Sequence, residues 1–250
     1  MTRSMLFVGI AVVLGAPGMA ARAQGPRPEE IIDKAIRAHG GEEKLAGLSA
    51  VTLKERMVYP DSATWDSQIV VQLPGRYRSE RTISSGGKSS TSLIVIDGEQ
   101  GWMKSNDVVT PYPKTFIESM QTYTVPYTGP RSILRLRARQ KNPACQFTTT
   151  GEGTVEGRPA VGLRMKLEGG PEATWYFDKE TGLLLKEEQR TKRFEGEDEL
   201  VENIHGDYQT CDGFPIARKS THKHDGKVVL IRELVEFHVA SPSEGAFVKP

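Results

Sequence analysis

The sequence predicts a mainly β protein of the α+β class, in which a strongly curved antiparallel sheet forms an incomplete β-barrel. Three observations lead to this prediction. Short segments alternate apolar and polar residues at the two-residue period of a half-buried strand. Turn sequences rich in aspartate and glycine separate these segments. Helical spacing is confined to the start of the domain, where one helix is expected, and to a central stretch that predicts a short helical lid insert.

Residues 1–23 have the features of a secretory signal peptide. Arg3 supplies a positive start, residues 5–14 are apolar but too short to span a bilayer, and Ala21 and Ala23 fit a small-residue cleavage site. No cysteine stands near this site to mark a lipid anchor. We therefore expect export to the periplasm as a soluble protein, with residues 24–250 forming a single domain.

Charge and cysteine content restrict the function only broadly. The chain has 33 Lys and Arg against 32 Asp and Glu, and this balance argues against nucleic acid as a partner. Cys145 and Cys211 are the only cysteines. In an exported protein they could form a disulfide, or they could remain two separate buried thiols.

The first expected element is a helix over residues 28–39. Pro28 and two glutamates occupy its first turn, apolar residues follow on one stripe, and Gly40 and Gly41 end it. A short helical turn is expected over residues 42–48. The amphipathic helix would lie against the hollow side of the sheet, where it covers apolar surface.

About ten strands are expected between residues 51 and 239. The hairpin of residues 173–190 turns at residues 178–182, and Asp-Gly pairs at 97–98, 212–213 and 225–226 predict further tight turns. So many strands cannot stay flat, because strand twist accumulates across a sheet. Residues 111–141 interrupt the strand pattern with helical spacing and are the predicted insert.

Three segments resemble the LolA-type periplasmic lipoprotein carriers and their outer-membrane lipoprotein-sorting relatives. The segments are residues 69–78, 93–102 and 175–183, in the same order and spacing as in that family. The resemblance implies an unclosed β-barrel, lidded by helices, that holds acyl chains of a lipid or lipoprotein. It also implies a monomer that meets membrane-associated donor and acceptor proteins transiently. One departure is Leu73, since the carriers have an arginine there that fastens the lid.

If the resemblance holds, the apolar residues that face the interior of the sheet are candidates for a lipid-binding cavity. For each of them the alternative is ordinary core packing. In the insert, three residues at helical spacing are candidates for the lid, and the alternative is a helix that packs on the sheet. The cavity candidates are Trp65, Ile69, Val71, Leu93, Val95, Trp102, Leu163, Met165, Trp175 and Phe177, and the lid candidates are Phe116, Met120 and Tyr123.

A basic run and five histidines complete the candidate residues. The basic run could contact anionic lipid head groups, or it could be a solvated helix face. It consists of Arg131, Arg135, Arg137, Arg139 and Lys141. The histidines are expected at the surface, since no third metal ligand accompanies the pair His222 and His224; the others are His39, His205 and His238.

No enzyme signature has its required context, so catalysis and a bound cofactor are not expected. Ser85 and Lys88 fit a Ser-x-x-Lys pattern but stand in a predicted hairpin loop rather than at the start of a helix. The sequence therefore favours a lipid or lipoprotein carrier. Two alternatives are a periplasmic sensor of the same fold that recognises lipoproteins or a protein partner, and a secreted hydrolase with an unrecognised site.

Overall fold

The computed structural model describes residues 25–125, 128–170, 172–192, 198–240, 242–243 and 245–250, without the side chains of Tyr123 and Lys192. The predicted signal peptide lies outside these residues. Within them the predicted fold class is confirmed: thirteen antiparallel strands form one sheet that is not closed into a barrel. No helix in the described part of the chain has the length and apolar character needed to cross a membrane.

Among the described residues, six strands precede the insert and seven follow it. They are β1 (Ala50–Val58), β2 (Thr64–Gln72), β3 (Arg76–Ser85), β4 (Lys88–Asp97), β5 (Gln100–Ser105), β6 (Val108–Pro111), β7 (Cys145–Val155), β8 (Arg158–Leu167), β9 (Glu172–Asp178), β10 (Leu184–Lys192), β11 (Asp198–Cys211), β12 (Phe214–His224) and β13 (Lys227–His238). The sheet order runs from β6 to β1 and then from β13 to β7. First and last strands pair, and β6 and β7 are the two edges.

The helices precede the sheet and bridge its edges. Helices α1 (Pro28–Ala38) and α2 (Glu42–Ala46) come first. The insert contains α3 (Lys114–Ser119), a π turn at Met120–Thr124, a 3₁₀ turn at Gly129–Ile133 and α4 (Leu134–Gln140). Because the insert follows β6 and precedes β7, it carries the chain from one edge of the sheet to the other.

The predicted turns have the backbone that their residues favour. Asp212 and Gly213 have φ of 47° and 76°, and Asp225 and Gly226 have φ of 47° and 77°. Two successive positive φ values define the hairpin turn whose twist matches that of the flanking strands. In the hairpin of β9 and β10, Asp178 Oδ1 accepts hydrogen bonds from Thr181 N at 2.7 Å and Thr181 Oγ1 at 2.9 Å.

The core lies between the helices and one face of the sheet, which we call the inner face. On α1, Ile31, Ile32, Ala35 and Ile36 are buried against it. Cross-strand partners such as Val51 and Val71, or Leu163 and Trp175, share this face. Cys145 and Cys211 are free thiols, both partly buried against the same core.

Candidate functional site

The inner face collects seven of the ten cavity candidates. Ile69 and Val71 on β2, Leu163 and Met165 on β8, and Trp175 and Phe177 on β9 all belong to the main buried core. Trp65 is on the same face of β2 but half-buried, and its ring lies 5.3 Å from that of Tyr59. Antiparallel pairing places β1, β2, β8 and β9 partners opposite one another, so these seven positions share the inner face, and their part in a lipid-binding cavity stays a prediction.

Three cavity candidates lie on the opposite, outer face, and the expectation that all ten share one face is wrong for them. Val95 pairs with Trp102, and Leu93 pairs with Lys104, whereas Ile94 and Ile96 pair with the inner-face residues of β3. Val95 is fully buried nevertheless. The carboxyl-terminal segment covers this side, since Arg78 donates to the Ala246 carbonyl and Phe247 is buried.

The insert packs its apolar side onto the inner face. Phe116 stacks on Tyr112 with ring centroids 4.1 Å apart, and both Phe116 and Met120 pack against the core. Gly101 lets α3 approach closely, because a methyl group there would lie 3.1 Å from Ile117 Cγ1. The third lid candidate, Tyr123, has its side chain outside the described residues.

Polar contacts fasten the insert at several points. Arg131 Nη1 donates to the carbonyls of Leu45, Ala46 and Leu48 at 3.2, 2.7 and 3.3 Å. At the other end of the insert, the Gln121 amide donates to the Gly98 carbonyl. An arginine therefore ties the insert to the chain before β1, although it comes from the insert itself rather than from position 73.

The basic run is not the solvated helix face that was one of its two predicted environments, since its four arginines are half-buried, and its contact with lipid head groups stays a prediction. Arg137 pairs with Asp33 and Glu42, so it joins α4 to α1 and α2. Arg135 Nη2 lies 3.4 Å from Glu187 Oε1, and the Arg139 guanidinium lies 5.7 Å from the centre of the Trp175 ring. Arg135 and Arg139 therefore hold α4 to the inner face, Arg137 holds it to α1 and α2, and Lys141 is exposed.

Two cavities lie between the insert and the inner face. Cavity 1, about 260 Å³, is lined by residues of α4 and of β9 to β11, among them Ala173, Trp175 and Asn203. Cavity 2, about 270 Å³, is lined by the 3₁₀ turn, α4 and β10 to β13. Arg135 and Glu187 line both cavities, so their ion pair stands where the two meet.

Cavity 2 contains histidines that the sequence placed at the surface. His39 is buried, donates from Nδ1 to the Ala35 carbonyl at 2.8 Å, and has its pKa lowered by burial. Burial first, and then the positive charge of nearby Arg232, lowers the pKa of His205 to about 4. The surface assignment is therefore wrong for both, because a helix and a strand turn them toward the core.

Other polar residues of the inner face were also missed by sequence reasoning. Glu55 is buried and accepts from Arg232 Nε at 2.6 Å. Ser67 faces inward beside it, and Ser220 faces inward on β12. Their positions could have predicted this, because in the alternating pattern of its strand each residue occupies a position that faces inward. Within the described residues, no group of three or more His, Cys, Asp or Glu could hold a metal ion.

Several solved structures have a similar fold, although no family model and no curated protein matches the sequence. LolA superfamily protein NE2245 from Nitrosomonas europaea is 10% identical over 90% of this chain and 98% of its own, with a TM-score of 0.52. A Vibrio parahaemolyticus domain described as outer membrane lipoprotein-sorting is 12% identical over 88% and 97%, with a TM-score of 0.53.

A DUF1329 family protein from Desulfovibrio piger is 11% identical over 88% of this chain and 96% of its own, with a TM-score of 0.56. At these identities the likeness concerns the fold alone. The resemblance seen in the sequence is therefore confirmed at the level of architecture: this chain has a LolA-like half-barrel fold.

Proposed function

We propose that this protein is a periplasmic carrier that binds the acyl chains of a lipid or lipoprotein between the inner face and the insert. The observation that carries the proposal is the cover of an apolar inner face by a separate helical segment with two cavities beneath it. The LolA-like fold supports the same class of function. Export rests on the predicted signal peptide.

The cavity sizes indicate that the insert must move to admit a long chain. Sites for small molecules measure roughly 300–1,000 Å³, and cavities 1 and 2 are each below that range, at about 260 and 270 Å³. Together they fall within it. Separation of Arg135 from Glu187 would join them, because that ion pair lines both.

The free energy gained by burying an acyl chain exceeds the cost of breaking a few contacts of the insert. Burial of a methylene group is worth about 0.8 kcal/mol, so a sixteen-carbon chain represents roughly 10 kcal/mol. A hydrogen bond contributes about 0.5–1.5 kcal/mol net, and one that involves a charged group about 1.5–3 kcal/mol. Loss of one or two of the contacts that hold the insert is therefore smaller than the gain from an enclosed acyl chain.

A cavity-filling substitution tests the proposal. Ala173 lines cavity 1, so Ala173→Phe should weaken binding of the fluorescent apolar probe N-phenyl-1-naphthylamine about tenfold or more and weaken its displacement by palmitate. Ala138 is exposed on α4, and Ala138→Phe adds the same atoms there as a matched control. Both variants are purified as the exported chain without detergent.

Two results would contradict the carrier function. Equal probe affinity in the two variants would show that acyl chains do not occupy cavity 1. Native mass spectrometry that finds a stoichiometric protein partner and no acyl lipid would instead favour the sensor alternative. Co-purified acyl lipid that is depleted in Ala173→Phe but retained in Ala138→Phe supports the proposal.

A further inference from the structure

Four polar side chains stand together on the inner face of β11 and β12, and we call them the polar floor. They are Asn203, His205, Ser220 and His222. Cross-strand pairing sets Asn203 opposite His222 and His205 opposite Ser220. His205 and Ser220 line cavity 2, and Asn203 lines cavity 1, so three of the four residues border a cavity, and His222 stands across from Asn203.

Three atoms of the polar floor are buried without a hydrogen-bond partner in the described part of the chain. They are Asn203 Oδ1, His205 Nε2 and His222 Nε2. Within the set, His205 Nδ1 and Ser220 Oγ are hydrogen-bonded at 2.9 Å. Buried polar atoms are nearly always hydrogen-bonded, because an unpartnered one lowers stability. Three on one small area indicate a site built to receive a polar group.

The charges beside the polar floor are already balanced. Arg232 pairs with Glu55 at 2.6 Å, and Arg135 lies 3.4 Å from Glu187. The low pKa of His205, about 4, means that its ring is neutral at ordinary pH, and burial lowers the pKa of His222 as well. In the described part of the chain the floor therefore presents neutral groups, and Arg232 and Arg135 are each already next to a carboxylate.

The donor and acceptor pattern suits a hydroxyl group. The Asn203 carboxamide oxygen accepts, and a neutral imidazole nitrogen either donates or accepts according to its tautomer. A hydroxyl does both, so neighbouring hydroxyls can satisfy these atoms together. An ionised head group would lose its hydration without gaining a free charge partner, which is costly in a buried site.

Cavity 2 also has apolar lining residues, beside the ion-paired Arg135, Glu187 and Arg232. Its lining includes Ile133 of the insert, Ile216 of β12, and Leu234 and Phe237 of β13, all buried in the main core. A cavity lined by both polar and apolar side chains fits an amphiphile, with its head group on the polar floor and its tail under the insert.

We infer that the preferred ligand is an amphiphile with a neutral, hydroxylated head group, such as a glycerol ester of a fatty acid, held through Asn203 and His205, with His222 across from Asn203. This assignment rests on the proposed function and narrows it from acyl lipids in general to one chemical class. Free fatty acids and phosphate-bearing lipids, whose head groups are ionised, bind more weakly.

Competition among three ligands with one acyl chain tests the assignment. Each displaces N-phenyl-1-naphthylamine from the purified exported chain: 1-decanoylglycerol, methyl decanoate and sodium decanoate. The glycerol ester should displace the probe at about tenfold lower concentration than the methyl ester, since one or two added hydrogen bonds correspond to about this factor. Decanoate should be weaker than the glycerol ester.

A substitution in the polar floor then tests whether the head group binds there. Asn203→Leu removes an unpartnered oxygen at similar volume, so the fold should hold while displacement by 1-decanoylglycerol weakens about tenfold. Displacement by methyl decanoate should not change. Thr221→Val is the matched control, because Thr221 lies on the opposite face of β12.

The outcomes separate this inference from the proposed function. Equal displacement by the glycerol and methyl esters, or stronger displacement by decanoate, would overturn the head-group assignment and leave acyl binding standing. Failure of the probe and of all three ligands to bind would overturn the proposed function as well. These comparisons use the unsubstituted protein, so they hold even if Asn203→Leu does not fold.

Discussion

Replacement of His205 by glutamine should remove a large part of the protein's loss of stability in acid. The imidazole is buried beside Arg232, and its pKa is lowered to about 4. In the unfolded chain a histidine titrates near 6.5. Between these two values the unfolded state binds the proton and the folded state does not, so the free energy of unfolding falls as the pH falls.

The magnitude follows from the two pKa values. Each unit of separation is worth 1.36 kcal/mol, so His205 should cost the wild-type protein about 3 kcal/mol of stability by pH 4. Above pH 6.5 the cost vanishes, because the ring is neutral in both states. Glutamine can keep a hydrogen bond to Ser220, 2.9 Å from the imidazole Nδ1, but cannot titrate.

Urea unfolding at pH 7, 6, 5 and 4 measures this effect. The difference in the free energy of unfolding between wild type and His205→Gln should shift by about 3 kcal/mol across the series, in favour of the variant at low pH. Thr221→Val, on the outer face of the neighbouring strand, controls for substitution at this strand pair. Parallel pH profiles for wild type and His205→Gln would refute a buried, neutral His205.

Three further outcomes are expected. Arg131→Met removes the donor to three carbonyls and should lower the free energy of unfolding by about 1.5–3 kcal/mol. Backbone amides of residues 129–140 should then exchange hydrogen faster. Unchanged exchange would contradict the role of Arg131 in fastening the insert. Burial alone would raise the pKa of Asp178, but hydrogen bonds from Thr181 and Arg158 lower it below its ordinary value. Asp178→Asn should therefore cost about 1–3 kcal/mol at pH 7, and denaturation curves should show this cost shrinking as the pH falls through the folded pKa; a cost independent of pH would contradict it. Trp102→Gln should leave probe affinity unchanged, because Trp102 is on the outer face, and weaker binding would place it at the site.

Much of the architecture could be predicted because it depends on local pattern. The period-two alternation of residues 161–167 is β8, and the Asp-Gly pairs stand at turns with the expected positive φ. The helix expected over residues 28–39 is α1, and the insert expected over residues 111–141 contains α3 and α4. Each of these predictions needs only neighbouring residues.

The placement of Leu93 and Val95 could not be predicted in the same way. Residues 93–96 are Leu, Ile, Val and Ile, so both faces of this strand are apolar and alternation does not distinguish them. Register with β3 decides that Ile94 and Ile96 face inward. A run that is apolar on both faces is expected where both are covered, and here the segment around Phe247 covers the outer one.

The sequence by itself determined the strands, the turns, the position of the insert and the class of fold, because each depends on residues close together in the chain. Only the tertiary structure decided that His205, Asn203 and His222 meet on one buried area, and that Arg131 reaches the carbonyls before β1. These contacts depend on strand register and on a chain that returns from one edge of the sheet to the other. The sequence alone does not show whether a histidine is exposed or buried, because its burial depends on the residues that the fold packs around it.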